Sequence, residues 1–136
     1  MINNDINMYY NKVYCDDLGK RAPDIFSKNV PEYTSYRRMW SGVIDGFMEC
    51  VNTDLIFFCT EGNIRIVVCD SNDPATFHQY FMGGLDGKTI TISRNTKFAI
   101  QNIDESKSAF MVGHFQEHPS YNYSSKTQFD WRKKLG

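Results

Sequence analysis

Few side chains in this sequence can move a proton or hold a metal. There are three histidines, His78, His114 and His118, and four cysteines, Cys15, Cys50, Cys59 and Cys69. His114, Glu117 and His118 spell H-x-x-E-H, an inverted zinc-protease motif. Two imidazoles four residues apart share a face only on a helix. Here a β-type run leads into His114 and Pro119 follows His118 at once, so the match is read as coincidence. No H-x-H pair occurs, and no metal is expected. The cysteines form no C-x-x-C pair, which removes the zinc-knuckle spacing. Cys50, Cys59 and Cys69 lie in or beside apolar runs, and no neighbouring base is visible to lower a thiol pKa. They read as reduced core residues.

A second cluster offers binding chemistry. Tyr33, Tyr36, Arg37, Arg38 and Trp40 fall within eight residues. Aromatic rings beside guanidinium groups suit a nucleotide base and its pyrophosphate; the same residues suit an edge strand packed in a dimer interface. Lys126, Arg132, Lys133 and Lys134 read as a solvated tail. Fifteen Lys and Arg against sixteen Asp and Glu leave a formal charge of -1, without the basic face that nucleic-acid binders carry. The longest apolar run, residues 55–59, is far below the ~20 residues of a membrane helix. The first ten residues show no basic stretch followed by an apolar one, so a cytoplasmic location is expected.

These residues must be held by strands. Of the 136 residues, 15% are aromatic, a composition that favours sheet. Residues 1–32 are polar and broken by Gly19, Pro23 and Pro31, and read as an N-terminal arm with one or two short strands. From Tyr33 on, β-rich runs recur: 55–59, 64–69, 76–82, 88–93, 98–103 and 108–114. The first two, separated by a turn cluster with Gly62, are expected to pair as a hairpin near the centre of the sheet. About seven short strands at this spacing predict an all-β sandwich or barrel. One domain is expected over 33–131, with 132–136 a short tail. The end around Phe129 and Trp131 reads as a last strand or a short helix.

Four stretches carry a resemblance. Residues 41–48 (SGVIDGFM) resemble a G-V-x-R-G-x-H strand. Residues 62–70 (GNIRIVVCD) resemble G-x-[IV]-x-x-V-x-x-D, and 73–77 (DPATF) the S-P-T-[FY] that follows it. Residues 92–103 resemble the strand I-P-P-G-x-x-H-G-F and its sequel, and 121–131 a Y-x-P…I-x-W ending. In order and spacing the chain resembles the sugar-nucleotide epimerase branch of the cupin superfamily, the dTDP-4-dehydrorhamnose 3,5-epimerases above all. The resemblance implies a double-stranded β-helix, or jelly roll, around a funnel-shaped pocket, a homodimer, a dTDP-linked sugar as ligand and no cofactor. In that family a His backed by a carboxylate removes a proton beside the C4 ketone, a Tyr returns one, and a Lys and a second His stabilise the enolate.

The family's reacting residues do not carry over. The base His falls on Met48, and the phosphate-binding Arg before it on Asp45. The Lys falls on Leu55 or Asp54, the second His on Phe98 and the Tyr on Val112. A catalytic set that acts as a unit collapses when its members go, so no catalytic residue is assigned. Asp16 to Lys20 is a faint echo of an acidic-Arg-Gly motif near the nucleotide. The expected funnel or nucleotide contacts are Tyr36, Arg38, Met48, Phe98, His114 and Tyr121. His114 either looks into the funnel from the last long strand or sits in core or solvent. The chain reads as a divergent epimerase-like cupin of nucleotide-sugar metabolism for surface polysaccharide, without standard 3,5-epimerase activity. The alternative is a non-catalytic binding, scaffold or regulatory subunit, which apolar Met48, Leu55, Phe98 and Val112 favour because they would dry the funnel.

Overall fold

A computed structural model describes residues 6–12, 14–16, 19–21, 33–73, 75–104 and 106–124. The expected C-terminal tail and the Phe129–Trp131 region lie outside the described residues, as does the 22–32 part of the expected arm. The elements are β1 (Ile6–Tyr10), β2 (Tyr14–Asp16), β3 (Gly19–Arg21), β4 (Tyr33–Met39), β5 (Ile44–Cys50) and β6 (Leu55–Glu61). Then come β7 (Asn63–Cys69), β8 (Phe77–Gly83), β9 (Lys88–Ile92), β10 (Phe98–Asn102), β11 (Ala109–Phe115) and β12 (Tyr121–Tyr123). Among the described residues no helix is long and apolar enough to cross a membrane.

Two five-stranded sheets face each other, ordered β1-β9-β6-β11-β4 and β12-β5-β10-β7-β8, and β2 pairs with β3 apart from both. Every pairing is antiparallel. This is the expected all-β jelly roll. β1, within the stretch expected as an arm, closes one edge of the first sheet against β9.

Period-two alternation builds the core. On β9, Ile90 and Ile92 point inward, while Thr89 and Thr91 take the other face; on β11, Ala109, Met111 and Phe115 point inward. One cluster joins both sheets and includes Met48, Leu55, Phe57, Ile66, Ile92, Phe98 and Met111. Burying each such side chain is worth roughly 1.5–3 kcal/mol.

The expected hairpin between residues 55–59 and 64–69 does not form. β6 pairs with β9 and β11 in the first sheet, and β7 pairs with β10 and β8 in the second. The chain turns a corner at Gly62 and crosses between the layers. Gly62 has φ of 89°, and a Cβ there would lie 2.9 Å from the Ala109 Cα. The turn residues signal a reversal, but each strand needs a neighbour on both sides, and the two sheets supply them from distant sequence.

Candidate functional site

The interior, where a funnel pocket would open, is packed with apolar side chains. Met48 and Phe98 are 0% exposed, Leu55 1% and Phe57 3%. Phe98 sits opposite Met48 across the β10–β5 ladder, and its ring lies 6.3 Å from that of Phe57. No proton donor or acceptor is presented at either position. Gly46 lets β5 approach β10: its φ is 133°, and a Cβ there would lie 2.8 Å from Ala99 Cα and from the Phe98 carbonyl oxygen.

β11 alternates, and this sorts two more expected positions. Val112 and His114 stand on the opposite face of the strand from Met111 and the core cluster. His114 is buried there, with Nδ1 3.2 Å from Thr34 Oγ1. Burial lowers its pKa below the ordinary 6.5, which favours the neutral ring. His118 lies in the loop beyond β11 and meets Tyr33 edge-on at 6.2 Å. The H-x-x-E-H run thus begins on a strand. His78 bonds through Nε2 to Asp70 Oδ2 at 2.8 Å. The other Asp70 oxygen accepts the Asn72 and Asp73 amides at 2.8 and 3.3 Å. The His78 bond, then the amides, hold the Asp70 carboxyl below its ordinary value. This pair shapes the loop after β7.

The cluster around Tyr36 is split by the pleat. Tyr36 and Arg38 face away from the core. The Arg38 guanidinium lies 4.7 Å from the Trp40 ring centre and 5.2 Å from that of Phe110, and Tyr36 is 5.8 Å from Phe110. Tyr36 is 67% exposed. Arg37, between them, points the other way, since its register partner is the core residue Met111.

That orientation creates a constellation the sequence did not announce. β4 is the outer strand of one sheet and β12, next to β5, is the outer strand of the other. Across the seam Arg37 Nη1 donates to Asp45 Oδ2 at 2.6 Å, joining the sheets. Asp45 faces inward opposite Ile100. Tyr121 and Tyr123 share the inner face of β12, opposite core residues Cys50 and Met48, with rings 6.3 Å apart. Tyr121 packs on the core cluster. Its phenol is pushed up to about 12, chiefly by burial, with the opposing pull of Arg37 next. Tyr33 and Ser35 complete the β4 side, both exposed.

The architecture, a filled interior and the polar seam can be set beside known proteins. No family model matches the sequence, and no curated protein matches it. Solved structures do match. The dTDP-6-deoxy-D-glucose-3,5-epimerase of Legionella pneumophila, in complex with dTDP-4-keto-L-rhamnose, superposes with a TM-score of 0.75 at 12% identity, over 88% of this chain and 72% of that one. The chain shares the fold of this epimerase. A sugar 3,4-ketoisomerase from Thermoanaerobacterium thermosaccharolyticum, in complex with TDP, gives 0.74 at 12% identity over 98% of both chains. A dTDP sugar isomerase from Desulfovibrio desulfuricans gives 0.75 at 9% identity over 89% and 84%. This chain therefore has the extent of the ketoisomerase and is shorter than the epimerase.

Within this fold, the structure brings Met48 and Phe98 together inside the packed core. Tyr121 sits at the seam, Tyr36 and Arg38 on the outer surface of β4 and β11, and His114 on the outward face of β11. Arg37 and Asp45 are the residues that sequence reasoning missed as a pair. The signal was the alternation of β4, which separates Arg37 from its neighbours.

Proposed function

We propose that this chain is a divergent epimerase-like cupin that has given up sugar-nucleotide epimerisation and serves as a non-catalytic binding or scaffold subunit. Its setting is nucleotide-sugar metabolism for surface polysaccharide in the cytoplasm, where it acts as a homodimer. The observation that carries this reading is the interior: Met48, Leu55 and Phe98 fill it at 0%, 1% and 0% exposure. A thioether does not remove a proton from carbon, and a dry cluster leaves no room to stabilise an enolate. The fold likeness supports the nucleotide-sugar setting, and dTDP-linked sugars are the first ligands to test. The decisive experiment is solvent-deuterium exchange on dTDP-4-keto-6-deoxyglucose followed by NMR. The expected outcome is no enzyme-dependent deuterium at C3 or C5; its appearance at either carbon overturns the proposal.

A further inference from the structure

Where β4 meets β5 and β12, Arg37 and Asp45 join beside Tyr121, Tyr123 stands next to Tyr121, and Tyr33 and Ser35 share the inward face of β4 with Arg37. We propose that this seam binds an uncharged pyranose, a sugar ring without phosphate. The inference concerns the seam and stands independently of what the packed interior does.

Charge is the first argument. The 2.6 Å contact between Arg37 and Asp45 leaves the pair formally neutral. Both side chains are partly open to solvent, at 28% and 34%. A diphosphate would have to displace Asp45 from the guanidinium and then lie beside a bare carboxylate, an arrangement of like charges that disfavours it. The neighbouring cation does not help. Arg38 lies on the outer face, over Trp40 and Phe110. A site for a nucleotide diphosphate needs surplus positive charge at the phosphates, and among the described residues the seam offers none.

Hydrogen-bonding capacity is the second. A guanidinium has five N–H donors in a fixed fork, and a carboxylate accepts at about four lone-pair positions. Side by side they present donors and acceptors at hydrogen-bonding spacing. Vicinal sugar hydroxyls, each both donor and acceptor, match that pattern without adding charge. Ser35 and the tyrosine hydroxyls extend it.

Aromatic surface is the third. Tyr123 is 64% exposed and Tyr33 49%, and half-buried Tyr121 stands 6.3 Å from Tyr123. A tyrosine offers a flat apolar face and a polar tip. A pyranose has a C–H face to lie on such a ring and a hydroxyl edge to meet the Arg37–Asp45 pair. Rigid tyrosines also cost little entropy to order.

The test is saturation-transfer NMR on the whole chain, with methyl glycosides of rhamnose, glucose and N-acetylglucosamine as probes and dTDP as the charged comparison. Binding at about millimolar strength to at least one glycoside is expected, and any transfer to dTDP should not depend on Arg37 or Tyr123. Tyr123→Ala, at an exposed position, should weaken it about tenfold or more, as loss of one stacked ring implies. Arg37→Met should remove it. Absence of transfer to every glycoside overturns the proposal. So does glycoside transfer that Tyr123→Ala leaves unchanged, which places the sugar elsewhere, and so does transfer to dTDP that Tyr123→Ala or Arg37→Met removes, which makes the seam a nucleotide site. If Arg37→Met fails to fold, Tyr123→Ala still decides. Deuterium exchange reads the interior and these spectra read the seam, so either reading fails visibly without the other.

Discussion

Met48, the position where the sequence resemblance implies a base, carries a thioether that is 0% exposed. An imidazole put back there would be cut off from water and packed against Phe98 and the core cluster. Burying a polar group without a built partner costs about 1–3 kcal/mol by protein mutational measures, and lost packing adds to that. Met48→His is therefore expected to destabilise by about 2–4 kcal/mol and to restore no deuterium exchange. Met48→Leu keeps volume and polarity and should cost less than about 1.5 kcal/mol. Urea midpoints of the two variants check this; equal midpoints would show that position 48 is not enclosed. At this scale the sequence was partly legible. The apolar character of Met48 and Phe98 is visible in one dimension, and both side chains are fully buried. The Arg37–Asp45 pair was not, because it depends on which way β4 presents Arg37 and on two sheets meeting.

Elements carry the second lesson. The runs at 64–69, 88–93 and 98–103 were legible because Ile64, Ile66 and Val68, or Ile90 and Ile92, repeat at the period of a pleated strand. The pairing of 55–59 with 64–69 was misread for a physical reason. A glycine-containing link of this length fits a hairpin and a corner equally well, and only competition among distant partners decides. β6 is buried on both faces over Leu55–Cys59, so it needs a central place, and β9 and β11 provide it. Corners and close approaches then fall on glycine. At Gly46 a Cβ would meet backbone at 2.8 Å with φ of 133°. Neither Ala99 Cα nor the Phe98 carbonyl can move as a side-chain tip does. Gly46→Ala is expected to lower stability by about 2–4 kcal/mol, read as a loss in thermal midpoint. Gly42→Ala is the comparison: its φ is also positive, at 72°, but nothing lies within 4 Å of a Cβ there. A smaller loss at Gly42 than at Gly46 is the expected order, and the reverse would contradict the close approach.

For the whole molecule, the titrating groups set a window of pH in which the two sheets hold together. On the acid side, His114 has a folded pKa below its ordinary 6.5 because it is buried. Between the two values the unfolded chain binds the proton more readily, so stability is full above about 6.5 and falls as pH drops through that range. The hydrogen-bond neighbour of His114, Thr34, is neutral. Asp70, held low chiefly by His78, adds a further loss only below its ordinary 3.8. On the alkaline side, Cys69 is raised above 9.0, chiefly by burial, and Tyr121 is raised from 10.0 to about 12. Each is protonated in the fold and releases its proton first when unfolded. Their contributions are full below 9.0 and 10.0 and are lost as pH rises past those values. The expected profile is a plateau of urea midpoint from about pH 6.5 to 9, falling on both sides. Tyr121→Phe should flatten the fall between pH 10 and 12 and remove one tyrosine from the highest step of an ultraviolet phenolate titration. Tyr80, on β8, is also raised by burial, so it is the part of the late step removed by Tyr121→Phe that reports the seam, where β12 holds Tyr121 against the core beside Arg37 and Asp45. A late phenolate step that Tyr121→Phe leaves unchanged would mean that β12 does not hold this side chain against the core, and the constellation at the seam would go with it.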